Sequence, residues 1–222
     1  MATSLDLQEQ EQIDALKAFW KSYGNLITWL LIAALGSYAA WNGWRWYQRD
    51  QGMKAGAMFD ELERAAQSGE AERVARIFGD LRQRFPRTAH AAQGGLLAAR
   101  VQFEKGQADA ARSSLTWVAE ESGLEELRTV ARLRLAGLLL DAGQPAEALA
   151  QLDKASGDEF AGLVADRRGD ILAAQGKAAE AKTAYEAAFK ALPDTVEYRR
   201  LIEAKLTAMG AAPATAASGA AR

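Results

Sequence analysis

The chain has 222 residues, with 27 Lys and Arg against 29 Asp and Glu, one His and no Cys. That composition excludes cysteine-based zinc sites, disulfide frameworks and cysteine nucleophiles, and any histidine-dependent triad would rest on His90 alone. A net charge of -2 and a pI near 5.6 give no electrostatic footprint for nucleic acid, and because five of the six Trp lie between Trp20 and Trp46 the mean hydropathy of -0.21 averages two unlike pieces.

Residues 1–21 form a short lead-in carrying Asp6, Glu9, Glu11 and Asp14. Within it EQEQIDALKAFWKSYG places Ile13, Leu16 and Trp20 on one side of an amphipathic helix suited to a membrane surface. Ser22 to Trp44 carry no charge, and a transmembrane helix is predicted over 22–47. At about 1.5 Å per residue such a helix runs roughly 35 Å, enough to cross a hydrocarbon core of about 30 Å. Trp20, Tyr23 and Trp29 near one end and Trp41, Trp44, Trp46 and Tyr47 near the other resemble interfacial aromatic belts. A cleavable signal peptide is the competing reading; the long acidic lead-in and the ending WNGWRWYQR, with no small-residue cleavage site, argue against it. Ala33, Gly36, Ala40 and Gly43 recur at three- and four-residue steps and are candidate contacts for a neighbouring membrane helix. Lys17 and Lys21 precede the span while Arg45, Arg49, Lys54 and Arg64 follow it, so a bare count of cations puts the C-terminal side in the cytoplasm. A long flanking domain weakens that rule, and composition leaves the orientation open.

From 48 to 209 the chain is rich in Ala, Leu, Glu, Arg and Gln and has no alternating pattern, so an all-α domain of helices joined by short turns is predicted. Gly69, Gly106, Gly143 and Gly176 sit in similar polar turns at spacings of 37, 37 and 33 residues. A period near 34 in this context is the mark of tetratricopeptide arrays. The fourth unit is the clearest: Gly169 in a first helix, Gly176 in the turn, Ala181, Tyr185 and Ala188 along the second helix, then Pro193. Gly169 and Ala181 let the two helices approach, Tyr185 fills a groove between neighbouring pairs, and the turn glycines supply a left-handed conformation. Earlier units repeat the frame with Ala136, Gly143, Ala148, Leu152 and Ala155, with Ala99, Gly106, Ala111, Leu115 and Val118, and, most loosely, with Leu62, Gly69, Val74, Phe78 and Leu81 before Pro86. Four helix pairs follow, at 55–88, 92–125, 129–161 and 162–195, stacked as a right-handed tetratricopeptide-like solenoid. A capping helix is expected over 195–209 with Val196, Leu201, Ile202 and Leu206 inward, and 210–222 reads as a disordered Ala-rich tail.

No phosphate loop, metal motif or nucleophile elbow occurs, His90 reads as a residue of the link between the first two units, and no cofactor is implied. Function is therefore sought in binding, on the surface formed by the first helices of the pairs. Its candidate lining is Gln93, Leu96, Arg100 and Phe103, then Val130, Leu133 and Leu140, then Leu163, Asp166 and Asp170. That mixture suits an extended peptide or a partner helix, with ordinary inter-repeat core as the alternative for each Leu and Phe.

The lead-in, the single span and the segment FAGLVADRRGDILAAQGKAAEAKTAYEAAF together resemble the ancillary subunit of the SecYEG translocon, the YfgM type. The resemblance runs from about Gln8 to Lys205, and its most specific parts are the acidic, glutamine-rich lead-in and Val164 to Lys177. It implies a non-enzymatic, single-pass protein of the bacterial inner membrane with a cytoplasmic N-terminus and periplasmic repeats. It also implies association with the translocon and with a membrane-anchored periplasmic chaperone of the PpiD type. This orientation departs from the cation count. A tetratricopeptide adaptor for another envelope assembly, such as cell division or a secretion machine, is the alternative.

Overall fold

A computed structural model describes residues 7–193 and 195–211; the tail expected at 212–222 lies outside them. The chain divides into two units between Gln51 and Gly52. Helix α1 runs over Leu7–Gln67 without a break, where a separate surface helix before the span was expected. No proline interrupts it, and Gly24 is covered by the Trp20 ring, 3.2 Å from where a Cβ would stand.

In the first unit the apolar side chains have no protein around them. Trp29, Leu30, Leu35, Tyr38 and Trp41 are each more than 60% exposed, which in water would be an unfavourable apolar surface of unusual extent. The hydroxyls of Thr28 and Ser37 donate to the carbonyls of Gly24 and Ala33, and the Asn42 amide donates to that of Tyr38. Polar side chains bonded within their own helix are compatible with lipid. Among the described residues, α1 is the one helix long and apolar enough to cross a membrane.

The second unit is a ladder of antiparallel pairs. The end of α1 packs Leu62 and Ala65 on α2 (Ala71–Arg84) and pairs Glu61 with its Arg73; α3 (Ala89–Glu104) pairs with α4 (Ala108–Glu121), α5 (Glu125–Asp141) with α6 (Pro145–Asp153), and α7 (Ala161–Ala174) with α8 (Ala178–Ala191), and α9 (Tyr198–Ala208) closes the end. Gly69, Gly106, Gly143 and Gly176 each adopt a φ between 67° and 75°. At each, the glycine N–H bonds the carbonyl three residues back and the following N–H bonds the carbonyl five residues before it, as Gly106 to Phe103 and Gln107 to Gln102. This is the Schellman closure, which satisfies the last free carbonyls of a helix. Gly210, at φ 73°, closes α9 identically, a closure reaching two residues into the stretch expected as tail. Pro145 opens α6 at its first turn.

The core falls into three buried clusters along the ladder. Leu62, Val74, Phe78 and Leu81 bury against Ala91 and Ala98 of α3; Ala99, Leu115, Val118, Leu135, Leu139, Leu152 and Ile171 form the middle; Leu172, Tyr185, Ile202 and Leu206 form the end. Trp117 packs against the first two clusters and meets Phe78 edge-on at 5.5 Å. Arg132 of α5 donates to the carbonyls of Ala119 and Lys154, where α4 and α6 end, and its burial lowers its pKa. A guanidinium placed on two helix C-termini ties the second and third pairs together.

Three expectations need correction. Of the four residues expected inward in the capping helix, only Ile202 and Leu206 are buried, while Val196 and Leu201 are 38% and 46% exposed. Positions 202 and 206 share a helix face, 201 is a hundred degrees away, and 196 precedes the helix. Tyr185 sits between its own pair and the capping helix: a Cβ at Gly169 would lie 2.5 Å from the ring, and Lys205 Nζ lies 5.2 Å from its centroid. His90 sits in the first turn of α3, half-buried and edge-on to Phe59 at 5.8 Å.

Candidate functional site

First helices of successive pairs converge on a concavity of about 330 Å³. Ala99, Arg100 and Phe103 reach it from α3, Arg134, Gly137, Leu138 and Asp141 from α5, and Arg167 from α7, with Leu115 of α4 in the floor. Phe103 is half-exposed, an unusual state for a phenyl ring within this domain. Arg100 donates to Glu104 at 2.8 Å one turn away, and both side chains are exposed. Arg134 donates to the carbonyl of Leu96 at 3.3 Å. The Arg167 guanidinium lies 3.8 Å from where a Cβ of Gly137 would stand, so the absent side chain leaves it room to lie across α5.

The ten candidate lining residues fall into four groups. Arg100 and Phe103 line the concavity, Gln93 is exposed further back on α3, and Leu163 is half-buried on α7. Leu96 is buried in the middle core, and Val130, Leu133 and Leu140 pack against that same core. For α5 the open face is 134, 137, 138 and 141, in step with 130 but a third of a turn from 133 and 140. Arg134, Asp141 and Arg167 were missed because charged residues on helices read as ordinary solvated surface; their i, i+7 spacing on α5 was the available signal.

Asp166 and Asp170, one turn apart on α7, are committed elsewhere. The Asp166 side chain is 3% exposed. Lys205 of α9 places its Nζ 2.7 Å from Asp166 Oδ1 and 2.6 Å from Asp170 Oδ1. Tyr198 donates its hydroxyl to Asp166 Oδ2 at 2.6 Å and Tyr185 to Asp170 Oδ1 at 2.8 Å. Burial, and then the bonded carboxylate, raises both tyrosine pKa values well above the ordinary range. These two carboxylates therefore clamp the capping helix and do not line an open groove. Among the described residues no group of three or more His, Asp or Glu side chains is placed to hold a metal ion.

Antiparallel pairs closed by left-handed glycines, stacked on a shared core with a groove on their first helices, define a tetratricopeptide-like repeat protein. The model of the tetratricopeptide repeat-like domain family matches residues 17–211. The ancillary SecYEG translocon subunit of Neisseria gonorrhoeae is 30% identical over 204 residues, covering 91% of this chain and 98% of that one. Proteins of the same name from Haemophilus influenzae and Escherichia coli are 31% and 26% identical, each over 82% of this chain. The chain belongs to the family of ancillary SecYEG translocon subunits.

Proposed function

We propose that this protein is a non-enzymatic scaffold tethered to the inner membrane beside the SecYEG translocon. Its repeats stand in the periplasm and hold a membrane-anchored chaperone of the PpiD type close to proteins emerging from the channel. The observation that carries the reading is the match over nearly the full length of relatives named as translocon subunits. An apolar helix with no protein around it and a groove built from three first helices support it. The span anchors, the groove selects, and neither role requires chemistry at a reacting centre.

Photo-crosslinking residues placed at Phe103 and at Gly36 of the full chain in intact membranes test this. Translocon components are expected from Gly36 and a periplasmic chaperone from Phe103. Division or secretion-machine proteins at both positions would instead establish the adaptor reading. Orientation is read separately: the chain has no Cys, so one cysteine at Lys105 reports its side of the membrane through an impermeant maleimide. Labelling of inverted vesicles alone would overturn the periplasmic placement.

A further inference from the structure

The groove between α3, α5 and α7 is apolar at its base and cationic at its rim. Ala99, Leu115 and Leu138 form the floor with Phe103 beside it, and Arg100, Arg134 and Arg167 stand around it against one lining carboxylate, Asp141. Glu104, paired with Arg100, and the α7 carboxylates Asp166 and Asp170 offset part of that charge from just outside the lining. The α7 pair is engaged behind the groove: Asp166 and Asp170 share the one ammonium of Lys205, each accepts a tyrosine hydroxyl, and Asp170 also faces Arg167 at 3.7 Å. Through Lys205 the capping helix offsets one of those two α7 charges, although it contributes no lining residue.

The arginines differ in how firmly they are held. Arg100 pairs with Glu104 at the exposed surface, an interaction of about 0–1 kcal/mol that a better-placed carboxylate displaces readily. Arg167 is 3.7 Å from Asp170 Oδ2, and Asp170 already serves Lys205 and Tyr185. Arg134 bonds a backbone carbonyl, which fixes its position without neutralising its charge. A planar guanidinium so placed offers a carboxylate its remaining N–H groups as a fork.

We infer that this groove docks an acidic-apolar segment of a partner protein, with an aliphatic or aromatic side chain seated beside Phe103 on the Leu115 and Leu138 floor and flanking Asp or Glu side chains reaching Arg100, Arg134 and Arg167. The inference rests on the scaffold reading and adds the chemistry of what the scaffold holds. Apolar floor and charged rim divide the work: burial supplies affinity, and the arginines supply register and exclude basic segments.

The test uses the full chain in detergent and four fluorescein-labelled ten-residue peptides of alternating composition: Glu/Leu, Gln/Leu, Lys/Leu and Glu/Ser. The Glu/Leu peptide is expected to bind, with the other three weaker by about tenfold or more. Arg134→Ala should weaken Glu/Leu binding about fivefold to tenfold and Phe103→Ser by a similar factor, with circular dichroism melting confirming that both variants are folded. Raising salt from 0.05 to about 0.5 M should weaken Glu/Leu binding and leave Gln/Leu unchanged. Equal affinity for Glu/Leu and Gln/Leu, no binding of Glu/Leu, or binding insensitive to both substitutions would overturn the inference. If the Phe103 crosslink still captures a chaperone while the peptides fail, the scaffold reading stands and only this assignment of its ligand falls.

Discussion

Replacing Lys205 with Met tests whether the ion cluster on α7 holds the capping helix. The side chains of Asp166, Asp170 and Lys205 are 3%, 25% and 24% exposed, so Lys205 is the cation that compensates a buried carboxylate and a half-shielded one. Removing one partner of a buried pair costs roughly 3–5 kcal/mol. Asp166 keeps the Tyr198 hydroxyl, and Asp170 keeps Tyr185, Arg167 at 3.7 Å and some access to water, so about 2–3 kcal/mol is the expected loss. The apolar attachment of α9 comes chiefly from Ile202 and Leu206, worth about 1.5–3 kcal/mol each when fully buried. Loss of the cation is therefore comparable to what either anchor contributes, and it acts on a terminal helix with a neighbour on one side. Amide hydrogen exchange of the full chain in detergent reads it directly. Amides of 198–208 should exchange about 30- to 150-fold faster in K205M, while those of α3 and α4 stay unchanged. Adding Asp166→Asn should recover part of the loss, because an amide leaves no buried charge. Unchanged exchange over 198–208 in K205M would refute the reasoning and leave α9 held by Ile202 and Leu206 alone.

Two further outcomes follow from the same end of the ladder. Gly169→Ala brings a Cβ within 2.5 Å of the buried Tyr185 ring, whereas Gly79→Ala meets nothing within 4 Å. Overpacking of about 1–3 kcal/mol outweighs the gain of about 1 kcal/mol from replacing a helical Gly at 169 only, so urea midpoints should fall for G169A and rise for G79A; shifts of one sign would contradict the packing account. Tyr185 and Tyr198 keep their protons above the ordinary 10.0 at which the unfolded chain loses them, so their contribution is full below pH 10 and is lost as pH rises through the folded values. The fall in urea midpoint from pH 8 to 11 should be shallower in Y198F than in the parent, and equal falls would show that Tyr198 plays no part.

The fold was legible because its determinants are local and repeated. A left-handed turn tolerates Gly and little else, so Gly69, Gly106, Gly143 and Gly176 announce helix ends wherever they stand. An uncharged apolar stretch long enough to cross a bilayer leaves an equally plain mark between Ser22 and Trp44. The groove was legible only at Arg100 and Phe103. Helical periodicity names a face and does not say which neighbour covers it, so Leu133 and Leu140 fell on the core side and Arg134 and Asp141 went unread.

The sequence by itself determined the helices, their turns, the candidate span and the family, all of which depend on residue type and on spacings no longer than one repeat. Tertiary structure alone decided what Asp166 and Asp170 do. Lys205 lies 39 and 35 residues beyond them, and only the stacking of α9 brings its ammonium within 2.7 Å of both. A carboxylate on a helix is solvated surface or a buried clamp according to what packs over it, and that covering is a property of the folded chain.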